Sequence, residues 1–493
     1  MEAGTNLKAL GTPIQLVVRI RPLLPSEERI GDLRISENQR KIVLIEPNKL
    51  QGTADDEYSF DYVYADSSFD DIYERTLVPM LMQDDDLAAP GFMDGVSCCV
   101  LAFGNSRSGK TYTVEGNASA STSAARDGVI PCLISGIFEA IAERQAKIGG
   151  RRKGVQWRFQ LSVQYVEIVD EKITDLLNPV RMDLDVDEHG TADGLGIKNA
   201  SRRIVTSEDE LYHYFKAGQA ARTTARTEFG ALSERAAAVF SVELHQVQTQ
   251  APSRSTEREA AEHLYSRFMV VDLPGAEKMA EDPTTLRIRE GPTLNNGAAC
   301  LASVLKALAQ AKDIGDYDYV DFDGSRLTRL LCDALGGPFR TACIATIPPA
   351  SYQANSFALR FASLFSRVSC FPLVTDGRAL GLLRKLSGQC YFLKQQVALS
   401  GGGGGLRGDD RGVRGLMQVA ELERKIIDGD RVRLALLEER EQLREKLIHL
   451  NARVNQLLGE KAQLQQERIA SEEERLKVSK VTPPPNNSIY ITL

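Results

Sequence analysis

The chain has 493 residues, of which 43% are hydrophobic, so it is long enough for one large folded domain with extensions. A formal net charge of −7 argues against a general nucleic-acid-binding protein, which would usually be basic. No segment approaches ~18 uninterrupted apolar residues, so we expect no membrane span. The eight cysteines form no Cys-x-x-Cys pair, and residues 1–11 lack the apolar core of a secretory signal. We therefore expect a cytoplasmic protein with reduced cysteines, and neither nucleic acid nor membrane as a partner.

The sequence predicts alternating strands and helices in the first third of the chain. Ile14–Ile20 has the pattern of a core strand and ends just before Pro22, and Tyr58–Tyr64 gives a second strand signal. Ser68–Met82 has helical spacing, and Val96–Phe103 is an apolar run typical of a buried strand. The sequence therefore predicts a strand–helix–strand unit ahead of residue 104.

A phosphate-loop motif follows this unit directly. Two glycines five residues apart precede Lys and Thr, in the order Gly104, Asn105, Ser106, Arg107, Ser108, Gly109, Lys110 and Thr111. In such a loop, backbone N–H groups face the phosphates of a nucleotide, the Lys side chain neutralises them, and the Thr hydroxyl can bind Mg²⁺. The motif predicts a nucleotide site, with a chance match as the alternative.

Further strands and helices are predicted beyond the loop. A helix is expected from Asp127 through Phe138, and strands over Phe159–Val169, Phe240–Val247 and Phe268–Asp272. An acid at a strand end is suited to hold the water shell of Mg²⁺ near a phosphate loop, although Asp272 alone would also suit a helix cap. The nearby Gly275 would let a backbone N–H approach the terminal phosphate.

Six segments, in this order along roughly Thr12 to Arg367, resemble those of kinesin motor domains. They are Val18-Arg19-Ile20-Arg21-Pro22, the loop from Phe103 to Gly116, Tyr165-Val166-Glu167-Ile168, Asp272-Leu273-Pro274-Gly275-Ala276-Glu277, Ser325-Arg326-Leu327-Thr328-Arg329-Leu330-Leu331 and Leu359-Arg360-Phe361-Ala362. The resemblance implies an α/β fold of the kinesin phosphate-loop type, with a central mixed β-sheet and helices on both faces. It also implies bound ATP or ADP with Mg²⁺, and a microtubule as partner.

The same resemblance implies roles for individual residues. Arg19, Pro22 and Tyr112 are expected to contact the base, although Arg19 could instead be a solvated charge at a strand end. Thr111 and Asp272 are expected to hold the metal. Arg107 stands inside the loop where kinesins usually have a small residue.

The first switch segment departs from the family pattern. Kinesins resemble one another in an Asn-x-x-Ser-Ser-Arg-Ser-His stretch, and of its defining residues only Ser233 and Arg235 are kept here. Glu234 replaces the second Ser and brings a carboxylate that would repel the γ-phosphate unless it points away. Phosphoryl transfer depends on orientation and charge placement, so we expect slow hydrolysis or none.

The second switch segment is better kept. Asp272, Gly275 and Glu277 are in register and, with Ser233 and Arg235, make up the expected catalytic set. Arg235 and Glu277 match the pair that links the two switches in kinesins. A surface ion pair worth at most ~1 kcal/mol is the alternative role for that pair.

The microtubule-facing segments also depart from the family. Residues 294–308 resemble the long helix that kinesins lay on tubulin, but the following loop, residues 312–323, contains five Asp where kinesins tend to be basic. Asp323 stands where the family usually has Arg. Because tubulin is acidic, this loop should weaken binding, unless it is simply a solvated loop away from any contact.

The predicted organisation has five parts. They are an N-terminal extension (1–11), a kinesin-like motor domain (12–369), a degenerate neck with a Gly-rich linker (370–415), a coiled coil (416–478) and a disordered tail (479–493). The coiled coil follows from leucines spaced by seven residues between Leu422 and Leu464, and Gly429 interrupts their register. Its imperfect seam could pair with itself or with another chain.

Three functions are compatible with these patterns. The first is a kinesin-like, microtubule-associated protein that binds nucleotide, hydrolyses it slowly or not at all, and serves as an anchor or structural part of a microtubule assembly. The second is an active ATP-driven motor working as a coiled-coil dimer. The third is a phosphate-loop NTPase unrelated to microtubules. We expect a cytoplasmic, cytoskeletal protein, and a ciliary axoneme is one microtubule array that would suit a static kinesin-like chain.

Overall fold

The computed structural model describes residues 11–25, 27, 32–46, 56–65, 69–82, 89–117, 127–151, 155–186, 196–229, 236–250, 262–279, 296–311, 320–349 and 352–376. The chain divides into two compact units, Met1–Gln389 and Cys390–Leu493, and every described residue belongs to the first. The glycine run, the predicted coiled coil and the predicted tail therefore lie outside the described residues.

Strands account for much of the described chain. In chain order they are β1 (Thr12–Pro13), β2 (Gln15–Ile20), β3 (Asp32–Ile35), β4 (Lys41–Ile45), β5 (Asp56–Ser59), β6 (Tyr62–Ala65), β7 (Cys98–Phe103), β8 (Val155–Val169), β9 (Lys172–Asp175), β10 (Asp185–Val186), β11 (Ile197–Lys198), β12 (Arg203–Val205), β13 (Ala237–Gln250), β14 (Glu262–Asp272), β15 (Arg340–Ile347), β16 (Ser369–Cys370) and β17 (Thr375–Asp376).

The helices lie between these strands. They are α1 (Phe69–Ile72), α2 (Val78–Leu81), α3 (Lys110–Glu115), α4 (Val129–Arg151), α5 (Glu208–Phe229), α6 (Asn296–Gln310), α7 (Arg326–Leu331) and α8 (Tyr352–Ala362). A π-helical turn, Tyr73–Leu77, joins α1 to α2, so the predicted helix over Ser68–Met82 is interrupted. Pro79 has no backbone N–H and its ring crowds the carbonyl four residues earlier, which accounts for the widened turn.

The main sheet has the mixed architecture that the resemblance implied. Its strands follow the order β12-β8-β13-β14-β7-β15-β2-β6, with β9 paired to β8 and β17 paired to β14. The pairs from β14 through β6 are parallel, and those from β12 through β14 are antiparallel. All six residues of the central strand β7 are buried, as expected for a strand covered on both faces.

Each face of the sheet is covered by helices, which gives two apolar cores. One core joins the sheet to α6, α7 and α8, and the other joins it to α4, α5 and the α1–α2 region. The predicted fold class is therefore confirmed for the motor domain.

The single strand predicted over Tyr58–Tyr64 is wrong. The structure has two strands there, because β5 joins β4 in a separate three-stranded sheet whereas β6 joins β2 in the main sheet. Asp61 lies between them, and its carboxylate accepts a hydrogen bond from Leu16 N at 2.7 Å. An alternating pattern cannot reveal that its two halves pair with different partners.

The segment after Arg367 is paired to the domain through its backbone, which the sequence did not predict. β16 pairs with β1, and β17 pairs with β14. Thr375 N donates to Gly95 O at 2.8 Å, and Val374 forms an isolated bridge with Val96. The side-chain pattern of this neck segment is degenerate, yet its residues 369–370 and 375–376 pair with strands of the domain through their backbone.

Candidate nucleotide site

The phosphate-loop motif lies between β7 and α3, in the strand–loop–helix order that the sequence predicted. Gly104 and Gly109 have φ values of 147° and 101°, a conformation that favours glycine. A Cβ at Gly104 would lie 2.3 Å from Thr346 O, so any other residue there would collide with β15. Ser108 and Thr346 are joined by a hydrogen bond of 2.6 Å between their hydroxyls, which fixes the loop to the sheet.

The loop lysine is held inside its own loop. The Lys110 side chain is buried, and its Nζ donates to Asn105 O at 2.9 Å. This geometry keeps the ammonium group within the ring of backbone that a phosphate would enter.

The two predicted metal ligands lie next to each other. Thr111 Oγ1 donates a hydrogen bond to Asp272 Oδ2 at 2.7 Å. They meet because β7 and β14 are parallel neighbours, with Asp272 opposite Ala102 near the start of the loop. A hydroxyl and a carboxylate oxygen are the hard ligands that Mg²⁺ takes beside nucleotide phosphates, so these residues fit the ion.

A buried arginine that the sequence reading missed supports Asp272. Arg222, on α5, is 1% exposed, and its guanidinium contacts the carboxylates of Glu115, Glu167 and Asp272. Burial alone would lower the pKa of Arg222, but these carboxylates outweigh it and raise the pKa well above its usual value. Arg222 lies on the buried face of α5 with Leu211 and Phe215. A charged side chain among the apolar residues of such a face indicates that acidic side chains lie near it in the fold.

The second switch segment closes against the loop. Glu277 Oε2 accepts a hydrogen bond from Ser106 N at 2.9 Å, and Oε1 accepts one from Ser106 Oγ. Ala276 N donates to Gly104 O at 2.9 Å, which ties the same turn to the start of the loop. Gly275 is therefore brought beside the loop, and the approach of its backbone N–H to the terminal phosphate stays a prediction.

Arg19 and Tyr112, two of the three residues expected to contact the base, lie close together with Phe69. Arg19 is only 8% exposed and its Nη1 donates to Thr113 Oγ1 at 3.0 Å, so it is not a solvated charge at the strand end. Its guanidinium carbon lies 5.4 Å from the ring centre of Tyr112, which is 46% exposed, and 4.9 Å from that of Phe69. Phe69 was not predicted as a site residue, because its position in a helical pattern suggested packing only.

Tyr112 and Pro22 each take part in a further hydrogen bond. Tyr112 Oη donates to Asp127 Oδ1 at 3.2 Å, across from the start of α4. Pro22 is exposed beyond β2, where its carbonyl accepts a hydrogen bond from Arg21 Nη1 at 2.9 Å.

Arg107 takes an unusual backbone conformation. Its φ of 63° lies in the left-handed region, which costs about 1–2 kcal/mol for a residue with a Cβ. Its carbonyl accepts a hydrogen bond from Arg21 Nε at 3.1 Å, and its side chain is exposed at the mouth of the loop. The strained loop therefore presents an additional positive charge to solvent.

A model of the family described as "Kinesin motor domain" matches residues 19–368. The chain belongs to the kinesin family. The Dictyostelium discoideum "Kinesin-related protein 1" is 28% identical over 410 residues, which is 79% of this chain and 18% of that protein. The human "Kinesin-like protein KIF21B" is 28% identical over 478 residues, 92% of this chain and 28% of that protein.

A third relative, the mouse "Kinesin-like protein KIF27", is 30% identical over 348 residues, 69% of this chain and 23% of its own length. The chain therefore spans less than a third of the length of these relatives. A solved structure of a fast kinesin shares the fold, with a TM-score of 0.58, 24% identity, and coverage of 74% of this chain and 94% of the other.

Nucleotide binding and association with microtubules are general properties of the kinesin family. Kinesin motor domains bind nucleotide with Mg²⁺, and the family is associated with microtubules and the cytoskeleton. Among the residues that the structure describes, no helix is long and apolar enough to cross a membrane.

The first switch segment of this kinesin falls between two described elements. α5 ends at Phe229 and β13 begins at Ala237. Ser233 and Arg235, two of the five residues expected in catalysis, lie outside the described residues, as does Glu234. The Arg235–Glu277 pair therefore stays a prediction.

The helix that follows the acidic loop is surrounded by carboxylates of its own domain. On α7, Arg326 Nη1 lies 2.8 Å from Asp183 Oδ1 and its Nε lies 3.4 Å from Asp185 Oδ1. Arg329 Nε lies 3.2 Å from Asp323 Oδ1. Of the five Asp in residues 312–323, Asp321 and Asp323 are described and both are exposed, and the other three lie outside the described residues.

The exposed face of α6 carries little charge. Its described exposed residues are Ser303, Lys306, Ala307 and Gln310. Lys306 is the one charged side chain among them, so this described face of α6 offers limited attraction to an acidic surface.

Proposed function

We propose that this kinesin-family chain is a microtubule-associated protein that binds ATP or ADP with Mg²⁺ but hydrolyses ATP slowly or not at all. In this role it is a structural or anchoring part of a microtubule assembly. The observation that carries the proposal is the geometry of the phosphate loop, in which Thr111 Oγ1 lies 2.7 Å from Asp272 Oδ2. It is taken together with the sequence of the first switch, in which Glu234 replaces Ser.

The cradle supports nucleotide binding. Lys110 lies within the loop, Arg222 holds Asp272 beside Thr111, and Arg19 and Tyr112 offer a surface for a base. None of these contacts requires an intact first switch, because binding and positioning of the hydrolytic water are separate tasks.

The substituted switch supports slow hydrolysis. A carboxylate near the γ-phosphate opposes the charge that develops in phosphoryl transfer. The missing Asn, Ser and His would also have helped to orient water and metal. Ser233, Arg235, Asp272, Gly275 and Glu277 remain our candidates for any residual catalysis.

The charges around α7 support weak rather than strong electrostatic attraction to tubulin. Arg326 and Arg329 are each paired with exposed Asp residues, so part of their charge is neutralised before any partner approaches. The predicted coiled coil over residues 416–478 would then supply attachment, by pairing with itself or with another chain. An axoneme is one microtubule array that suits such an anchor.

A second candidate is an active motor that works as a coiled-coil dimer. The paired segment 369–376 favours it, because a neck bound along the domain is able to transmit a movement. The third candidate is a phosphate-loop NTPase unrelated to microtubules. The match to the kinesin motor domain family argues against it.

One assay separates the first two candidates. Steady-state ATP turnover of the full chain is measured with and without microtubules, beside Lys110→Ala. We expect wild-type turnover at least about 100-fold below the ~10 s⁻¹ typical of enzymes, with microtubule co-sedimentation retained. If the wild-type chain turns over ATP at about 10 s⁻¹ and Lys110→Ala abolishes this turnover, the structural role is contradicted.

A further inference from the structure

Two histidines meet near the end of the main sheet that lies away from the phosphate loop. His245, on β13, is directly opposite Tyr265 on β14, and His263 stands two residues before Tyr265 on the same face of that strand. His245 Nε2 lies 3.1 Å from His263 Nδ1, so one of these nitrogens carries a hydrogen and the other accepts it. All three side chains are half-buried, so solvent and dissolved ions can reach this histidine pair.

Ring contacts restrict the positions of the two imidazoles. The His245 ring lies nearly parallel to the Tyr265 ring, with 4.3 Å between their centres and an angle of 6° between their planes. The centre of the His263 ring is 5.4 Å from that of His245, and the two planes differ by 17°. Both histidines also stand on paired strands, so the two nitrogens are held close together before any ligand arrives. Ligands held in place in this way lose less conformational entropy when they bind.

The separation of the two nitrogens suits two ligands of one metal ion. Bonds from Zn²⁺ to imidazole nitrogen are about 2.0–2.1 Å long, which puts two such nitrogens about 2.9 Å apart at a right angle and about 3.3 Å apart at the tetrahedral angle. The observed 3.1 Å lies between these values. The ion would replace the shared hydrogen and lie beside the line that joins the nitrogens, which requires each ring to turn about its Cβ–Cγ bond.

The protonation state of the pair is also suitable, because an imidazole must be neutral to bind a metal. Burial, and after it the neighbouring His263, lower the pKa of His245 below its usual value. His245 is therefore neutral at neutral pH. Within the hydrogen bond, one of the two facing nitrogens already presents a lone pair rather than a proton.

The protein offers two ligands at this position rather than a complete set. In the part of the chain that the structure describes, no group of three or more His, Cys, Asp or Glu side chains is placed to hold a metal. Glu243, two residues before His245 on the same face of β13, is already engaged by Arg202 and Arg267. We propose that His245 and His263 form a two-histidine site for a divalent transition-metal ion, with water in the remaining positions. Imidazole suits Zn²⁺, Cu²⁺ and Ni²⁺ among such ions.

This site is separate from the nucleotide site. β13 and β14 place Ala238 opposite Asp272 at the phosphate-loop end, and His245 opposite Tyr265 seven residues farther along β13. At about 3.3 Å per residue, the two positions are about 23 Å apart along the strands. A metal at the histidine pair would join β13 to β14 at their far end, and it would stabilise the folded chain because the two histidines are brought together only there.

Isothermal titration of the 493-residue chain with Ni²⁺ tests the proposal. Ni²⁺ is the probe because imidazole suits it, whereas thiolates select Zn²⁺ and Cu⁺, and excess Mg²⁺ is present to compete at Thr111 and Asp272. Wild type should show a Ni²⁺ site whose affinity falls at least about tenfold in His263→Ala, because loss of a ligand costs no less than loss of a group that orients one. His245→Phe should show the same loss.

Two features of these variants guard against a general disturbance of the fold. His245→Phe keeps an aromatic ring against Tyr265 but has no nitrogen, so the stacking is retained while the ligand is lost. His213→Ala removes an exposed histidine on α5 and is the matched control. It should leave the Ni²⁺ affinity unchanged.

Thermal unfolding gives a second readout. Ni²⁺ or Zn²⁺ should raise the unfolding midpoint of wild type by a few degrees and leave that of His245→Phe unchanged, because an ion that binds only the folded chain stabilises it. If wild type, His245→Phe and His263→Ala bind Ni²⁺ with the same affinity, or if the metal shifts their midpoints equally, the two histidines share only a hydrogen bond and the proposal is overturned.

Discussion

Arg222 Nη2 donates a hydrogen bond to Asp272 Oδ2 at 2.8 Å, and the same oxygen accepts the Thr111 hydroxyl at 2.7 Å. One carboxylate thus joins the interior of α5 to the phosphate loop. Because Asp272 begins the second switch, the position of a predicted metal ligand depends on an arginine far from it in the sequence.

Replacement of Arg222 should destabilise the domain strongly. Arg222→Met leaves the buried carboxylates of Glu115, Glu167 and Asp272 without this partner, and breaking a buried ion pair in this way typically costs about 3–5 kcal/mol. Unfolding of the full chain by heat, followed by circular dichroism, measures the change. Arg329→Met, in which a more exposed arginine loses its contact with Asp323, is the matched control and should cost at most about 1 kcal/mol. An equal loss of stability in Arg222→Met and Arg329→Met would show that the buried ion pairs of Arg222 contribute little to the stability of the domain.

Removal of the charge at Arg107 should speed ADP release. Arg107 presents a cation at the mouth of the loop, where it can hold a phosphate, so Arg107→Ser should raise the release rate several-fold. Stopped-flow fluorescence with a labelled ADP measures it, with Arg107→Lys as the control that keeps the charge. An unchanged rate in Arg107→Ser would remove Arg107 from the nucleotide site.

Truncation of Phe69 should weaken binding of the base but not of the phosphates. Phe69→Ala removes one of the rings that contact Arg19, which should cost about 1 kcal/mol and thus about fivefold in ADP affinity. The affinity for inorganic tripolyphosphate, measured by competition, should be unchanged in Phe69→Ala. Phe159→Ala, a ring stacked on Trp157 on β8, is the control and should change neither affinity. A loss of tripolyphosphate binding in Phe69→Ala would instead indicate a disturbed loop.

Neutralising Asp323 should strengthen microtubule binding. Asp323→Asn removes an exposed negative charge and the ion pair that this charge makes with Arg329, so co-sedimentation at low salt should show a several-fold higher affinity that diminishes as salt is added. Asp70→Asn changes another exposed aspartate, on α1, and is the control. If both variants behave as wild type, the acidic loop lies away from the partner and is simply solvated.

The sequence predicted what depends on local patterns. The loop from Gly104 to Thr111 and the acid at the end of β14 could be read directly, because glycines, Lys and Thr at fixed spacing have few other uses. The proximity of Thr111 and Asp272 also followed, since the ends of neighbouring parallel strands meet at one edge of a sheet.

The features that the sequence did not reveal depend on long-range pairing. Arg222 meets acids from three other elements, and Tyr58–Tyr64 divides between two sheets. The contact of Glu277 with Ser106 joins residues 171 positions apart. Residues 369–376 pair through backbone groups, which every sequence carries.

Single-turnover hydrolysis shows whether this domain binds ATP without cleaving it efficiently. The 493-residue chain is mixed in excess with Mg·ATP and saturating microtubules, the reaction is quenched in acid, and the ADP formed in one turnover is measured, so slow product release cannot mask the chemical step. We predict that ATP is bound but cleaved more slowly than about 0.1 s⁻¹. Cleavage at about 10 s⁻¹ or faster, lost in Lys110→Ala, would contradict the account.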